Sequence, residues 1–176
     1  MEVKIQAHKT KYIIGKTKPN RTDFLLILIC ISGLMLAGMV ASLIGGTTHA
    51  YDDAIRPPFA LPSIALTAIF NAIFTILGLS ISMVYKFRPT NDKMTKRKLT
   101  SLILFGIQLI FVITWPLMFF RLSIHLLAFA WTAIIFGLSV AYMVNNMSFN
   151  KASGWLVLPY LIWLAYLCYI SIMFVL

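Results

Sequence analysis

Charge is scarce in this sequence. Only 11% of its 176 residues are Asp, Glu, Lys or Arg, where a soluble domain carries roughly a quarter. A water-facing surface cannot be assembled from so few ions, which excludes a soluble globular fold. Acids are scarcest, five against fifteen Lys and Arg. Paired carboxylates, a His-Glu-x-x-His helix, a phosphate-cradling glycine loop and a nucleophile–base pair are all missing. Conventional hydrolytic and phosphoryl-transfer chemistry therefore has no residues to run on. The two cysteines, Cys30 and Cys168, stand apart in apolar runs with neither a CxxC partner nor a His at metal-ligand spacing. They read as small apolar residues rather than a metal or redox site.

What the chain does have is apolar length. Sixty per cent of it is hydrophobic, gathered in five runs over residues 24–44, 63–85, 99–120, 122–144 and 155–176, none containing a charged residue. Each is near the roughly 20 residues that cross a hydrocarbon core about 30 Å thick. Backbone in lipid must satisfy its own hydrogen bonds, so the expected form is helical. The alternating strands of about ten residues that a membrane β-barrel needs are not present. The fold class expected is an all-α integral membrane bundle of five transmembrane helices over residues 23–176, behind a basic cytosolic tail, residues 1–22. The first run is too long for a signal-peptide core and lacks a small-residue cleavage pattern, so it is read as a retained helix.

The run ends are punctuated. Gly45 and Gly46 close the first, and Pro57, Pro58 and Pro62 precede the second. Lys86 to Arg88 ends the second, with Pro89 blocking continuation. A very short turn centred on Arg121 joins the third and fourth. The fifth follows residues 145–154.

The cations set the orientation. Six lie in the tail (Lys4, Lys9, Lys11, Lys16, Lys18 and Arg21), six between the second and third runs (Lys86, Arg88, Lys93, Lys96, Arg97 and Lys98), and Lys151 precedes the fifth. The opposite side has Arg56 and Arg121. The positive-inside rule then puts the amino terminus in the cytoplasm and the carboxyl terminus outside. The net charge of +10 is a topology signal in the gaps between runs, not a nucleic-acid-binding face.

Ion pumps and proton-coupled carriers keep ionisable groups in the membrane. The polar candidates here are only Asn71, Gln108 and His125, and His125 falls at the outer interface, where a structural role is expected. An odd number of spans argues against the two-halves plan of many transporters. The remaining signal is aromatic. Gln108, Phe111, Trp115 and Phe119 share one face of the third helix, Trp155, Pro159, Trp163 and Tyr166 one face of the fifth, and Phe70, Phe74 and Gly78 one face of the second. Turned inward, these faces line an apolar cavity suited to a flat hydrophobic ligand. Turned outward or against neighbours, they are helix packing and interfacial belts.

Trp115-Pro-Leu-Met-Phe-Phe120 resembles the AWxPxFF-type signature of the TspO/MBR family, the tryptophan-rich sensory proteins and translocator proteins. Residues 154–166, GWLVLPYLIWLAY, resemble its fifth helix most specifically. Residues 51–62, YDDAIRPPFALP, resemble its WYxxLxKPxWxPP loop, and Phe70, Phe74 and Gly78 fall where its second helix reads W, Y and G. The resemblance covers roughly residues 24–176. There are departures. The loop's tryptophans are Ala50 and Phe59, one of its paired prolines is Leu61, and the second-helix Trp is Phe70. The third-helix Asn is Gln108, the fourth-helix Asp is Trp131, and a late fifth-helix Asn is Ser171. The chain also ends without the basic residue of the usual cholesterol motif.

The resemblance implies a five-helix bundle, often a homodimer, in a membrane that for a divergent bacterial member is the plasma membrane. It implies a pocket near the first loop that takes porphyrins, or in some members sterols and drug-like molecules, as ligand rather than cofactor. The ligand-binding residues it implies are Tyr51, Arg56, Pro57, Phe59, Phe70, Phe74, Gln108, Trp115, Phe119, Pro159 and Trp163, with Arg56 at the mouth to pair with a carboxylate. Two other readings stand beside binding or transport. One is light-dependent porphyrin breakdown, for which relatives use tryptophans on helices two and five. Only Trp163 of that pair is kept. The other is a ligand-independent scaffold using Gly33, Gly38, Gly45 and Gly46 for close helix approach.

Overall fold

A computed structural model describes residues 21–45 and 59–175. Helix α1 spans Arg21–Gly45, α2 Ser63–Lys86 and α3 Asp92–Pro116, and a π-helical turn follows over Leu117–Arg121. Then come α4 (His125–Met147), a short α5 (Lys151–Trp155) and α6 (Leu158–Met173). Among the described residues, five helical segments are long and apolar enough to cross a membrane, α5 and α6 counting as one. The expected five-helix membrane fold is the fold observed.

The helices close into a ring in which α1 packs on α2 and α3, α3 on α4, and α4 on α6, while α2 meets α5 and, more sparsely, α6. Lipid tails are as apolar as the side chains, so close packing and buried hydrogen bonds hold such a ring together. Gly78 allows α1 and α2 to touch: a Cβ there would lie 2.9 Å from the Ile31 Cα. At the end of the bundle holding the α2–α3 connection, a buried polar network joins four helices. The Ser80 hydroxyl bonds the Ser153 hydroxyl at 2.9 Å and the Tyr142 hydroxyl at 3.2 Å, and it donates to the Ser153 carbonyl at 3.0 Å. Asn146 donates to the Ser153 hydroxyl at 3.3 Å and accepts from Ser101, while Asn145 donates to the Arg97 carbonyl at 2.7 Å. Lys98 reaches across to the Tyr85 and Phe87 carbonyls at 2.6 and 2.9 Å, satisfying the end of α2. Lys86 pairs with Asp23 at 3.3 Å.

Three boundaries differ from the sequence reading. Helix α3 starts at Asp92 rather than 99, because the Asn91 side chain caps it by accepting from the Met94 N–H at 3.1 Å. Charged residues end a membrane span without ending a helix. The α3–α4 reversal is centred on Ser123, not Arg121. Pro116 lacks an N–H, the helix widens behind it, and the Leu122 N–H bonds Leu117 five residues back at 3.0 Å. Ser123 then turns the chain with a left-handed φ of 53°, so α4 begins at His125. The fifth run is broken at Leu156 and Val157, where Pro159 has no N–H to offer the Trp155 carbonyl.

Candidate ligand cavity

The second half of α1, the first half of α2, the end of α3 with its π-helical turn, and the second half of α6 surround a cavity of about 640 Å³. All four stretches lie toward the end of the bundle where the chain passes from α1 to α2. The volume is in the range of pockets for drug-sized ligands, about 300–1,000 Å³. The aromatic walls are Phe70 and Phe74 from α2, Trp115 from α3, Phe119 and Phe120 from the turn, and Tyr166 from α6. The Trp115 and Phe119 rings stack at 4.9 Å with 17° between their planes, and Phe70 tilts against Trp115 at 6.4 Å. The wide turn behind Pro116 brings two consecutive rings, Phe119 and Phe120, to the same cavity.

No Asp, Glu, Lys or Arg lines the cavity among the described residues. Its polar groups are Ser32, Ser42, Thr67, Asn71 and Tyr166. The Asn71 amide donates to the Thr67 carbonyl at 2.9 Å, and its oxygen has no partner among the described residues. The Tyr166 hydroxyl accepts the Leu61 N–H at 3.0 Å, which ties the chain entering α2 to α6 at the cavity rim.

Of the residues expected to bind ligand, the structure brings Phe70, Phe74, Trp115 and Phe119 together on one wall. Trp163 is buried but does not line the cavity. It stands behind Phe70, edge to face at 5.2 Å, and stacks on Tyr166 at 5.2 Å. Gln108 is buried lower on α3, away from the lining, with its Oε1 unpartnered. Pro159 is exposed on the outer face, because the break at Leu156 and Val157 turns it and Trp155 outward while Tyr160 and Trp163 turn in. Phe59, at 86% exposure and a left-handed φ of 63°, is not among the residues lining the cavity. Tyr51, Arg56 and Pro57 lie outside the described residues, as do residues 1–20 of the basic tail.

The sequence reading missed the whole α1 wall, made by Ser32, Met35, Leu36, Gly38, Met39, Ala41 and Ser42. A faint signal was available: Ser32, Met35, Met39 and Ser42 recur at spacings of three and four in an otherwise uniformly apolar helix. The sequence reading names Asn71 as a polar candidate and Tyr166 on the fifth-helix face but counts neither among the ligand-binding residues, and both are polar groups of the wall.

A family model described as TspO/MBR family matches residues 26–176, nearly the whole chain. The chain belongs to the TspO/MBR family. No curated protein matches it. TspO/MBR membership and five apolar spans make it an integral membrane protein in contact with the bilayer, in a family tied to sensing or transport of ligands at membranes. Among the family positions read from the sequence, Trp131 holds the expected fourth-helix Asp site. It lies outside the cavity lining, donating to the Thr114 hydroxyl at 3.0 Å and packing its ring against Phe111 at 4.7 Å with 40° between the planes. In this TspO/MBR chain that position clamps α3 to α4.

Proposed function

We propose that this protein binds a planar hydrophobic ligand, a porphyrin or a sterol-like molecule, in the cavity between α1, α2, α3 and α6, and senses or carries it. One observation carries the reading: a cavity of about 640 Å³ walled by Phe70, Phe74, Trp115 and Phe119, with no charged side chain among the described lining residues. Ring faces stack on a flat ligand, and an uncharged wall imposes no desolvation cost on an apolar body. A porphyrin would keep its carboxylates at the mouth, and the resemblance to the family's first loop implies Arg56 as their charge-assisted partner. Titration of the purified protein with protoporphyrin tests this. Saturable quenching of tryptophan fluorescence is expected, because Trp115 would sit against the ligand, and no quenching beyond that of protein-free micelles would end the proposal.

The setting that goes with this reading is a homodimer in a bacterial plasma membrane, amino terminus in the cytoplasm, with the cavity in the outer half. The cation distribution supports the orientation. An impermeant thiol reagent on intact cells should label Asp52→Cys and leave Lys93→Cys unlabelled. The reverse pattern inverts the orientation.

A further inference from the structure

The polar groups of the cavity wall are unevenly committed. Ser32 donates its hydroxyl to the Ile29 carbonyl at 3.3 Å, within its own helix. Tyr166 accepts the Leu61 N–H at 3.0 Å and donates to the Phe59 carbonyl at 3.4 Å. Asn71 is different. Its Nδ2 donates to the Thr67 carbonyl one turn back at 2.9 Å. A carbonyl can only accept, so this bond fixes which end of the carboxamide is nitrogen and leaves Oδ1 at the other end. That oxygen has no donor among the described residues. Thr67 and Asn71 both line the cavity and both are exposed, so the carboxamide that bridges them lies on the cavity wall and not within the helix packing.

Depth adds weight to this. Asn71 lies roughly 12 Å along α2 from its start at Ser63, at 1.5 Å per residue. A spanning helix is within the hydrocarbon layer at that distance, where water does not satisfy an open acceptor. Polar side chains are costly there and mark functional contacts. Phe70 and Phe74 belong to the same lining face of α2, so a ring packed on them has its edge beside the carboxamide.

Resting on the cavity reading above, we infer that Asn71 is the specificity residue of the cavity, its Oδ1 accepting a hydrogen bond from one neutral donor, a hydroxyl or N–H, at the edge of the ligand's ring system. The aromatic wall binds any flat apolar body. The open acceptor selects among bodies of one shape, because a ligand without the donor leaves the oxygen unpaired in a water-poor site. An acceptor oxygen at that edge gains nothing from Oδ1.

Three probes of one outline separate this from simple hydrophobic binding. Fluorene, carbazole and dibenzofuran carry CH2, N–H and O at the same bridge position. Their binding to the detergent-solubilised protein is measured by equilibrium dialysis and corrected for partition into protein-free micelles. The wild type should bind carbazole about fivefold more tightly than fluorene, and dibenzofuran no more tightly than fluorene. Asn71→Leu should bring the carbazole-to-fluorene ratio to about one while still binding fluorene saturably. Asn71→Ala gives the same readout where the Leu variant fails to fold. Trp115→Ala should weaken all three probes and keep the ratio, since it removes wall and not acceptor. A ratio near one in the wild type, or a carbazole preference that survives in Asn71→Leu, overturns the role of Asn71 and leaves the cavity reading standing. A dibenzofuran preference lost in Asn71→Leu also overturns it, because the amide then reads an acceptor through its N–H. Failure of all three probes to bind the wild type overturns the cavity reading and the role of Asn71 together.

Discussion

The Trp115 indole N–H donates to the Thr132 hydroxyl at 2.7 Å, and that hydroxyl donates to the Ala128 carbonyl one turn back at 2.8 Å. This chain fixes the largest ring of the cavity wall to α4, a helix that contributes nothing to the cavity itself. The wall is thus positioned from behind, with its polar edge already satisfied and its ring stacked on Phe119 toward the ligand space.

Thr132→Val keeps the shape of this support and removes the acceptor. Hydrogen bonds between membrane helices contribute about 0.6–1.7 kcal/mol, so a loss of about 1 kcal/mol in unfolding free energy in detergent is expected. Porphyrin affinity should fall only a few-fold, because the ring is loosened rather than lost. Denaturant unfolding and fluorescence titration of the same preparation check both. Unchanged stability would mean that packing alone holds the indole.

Trp115 and Trp163 should behave differently, although both lie on aromatic stripes of the sequence. Trp115 lines the cavity, and removing its side chain should cost about 2–3 kcal/mol of binding, about a 30- to 150-fold loss in affinity. Trp163 touches the cavity only through Phe70 and Tyr166. Trp163→Ala should therefore weaken binding less than Trp115→Ala and destabilise the fold more, by about 3 kcal/mol for a large aromatic removed from a packed interior. Titration and unfolding of the two variants side by side give the comparison. Equal losses of affinity would place Trp163 against the ligand after all.

The pattern of success in the sequence reading follows from which signals are local. Five uncharged runs near bilayer length fix the helix count, because hydrocarbon thickness and backbone hydrogen bonding permit little else. Phe70, Phe74, Trp115 and Phe119 could be read as one wall because they repeat at helical spacing. Pro159 and Trp163 could not be placed, since the break behind Trp155 rotates the register and no spacing rule anticipates its angle. Helix α1 was harder to read for another reason: apolar residues surround it, and only the spacing of Ser32, Met35, Met39 and Ser42 separates the cavity side from the lipid side. The network of Ser80, Tyr142, Asn146 and Ser153 draws on residues more than 60 positions apart, a distance at which only the assembled ring brings them together.

Two glycines of the α1–α2 contact test what shapes the cavity. At Gly38 an added Cβ would lie 2.3 Å from the Phe74 ring, a side chain that can turn into the cavity. At Gly78 it would meet the Ile31 backbone, which cannot turn aside. Gly38→Ala should lower ligand affinity with a modest effect on stability. Gly78→Ala should separate the helices and cost about 1–3 kcal/mol of stability, as overpacking generally does. Thermal unfolding and porphyrin titration of both variants decide the matter, and the opposite assignment of effects would mean that Phe74 does not border the ligand.

The last prediction concerns chemistry. Where the resemblance expects a second tryptophan, this chain has Phe70, and its ring lies edge to face with Trp163 at 5.2 Å. The pair is therefore assembled in space while one partner is a phenyl group. An indole gives up an electron readily and a phenyl ring does not, so illumination of the protein with bound porphyrin should leave the Soret band nearly intact over times in which free porphyrin in micelles is stable. Phe70→Trp replaces the ring at the same wall position and restores the two-indole arrangement. That variant should bleach the band in a light-dependent, protein-dependent way, and the double variant Phe70→Trp, Trp163→Phe should be silent again. Absorbance at the Soret maximum under constant illumination follows all three. Rapid bleaching by the wild type, lost in Trp163→Phe, would show that one indole suffices and would make this protein an enzyme rather than a binder. Slow bleaching in all three would mean that proximity of two indoles in this cavity is not enough to drive the reaction.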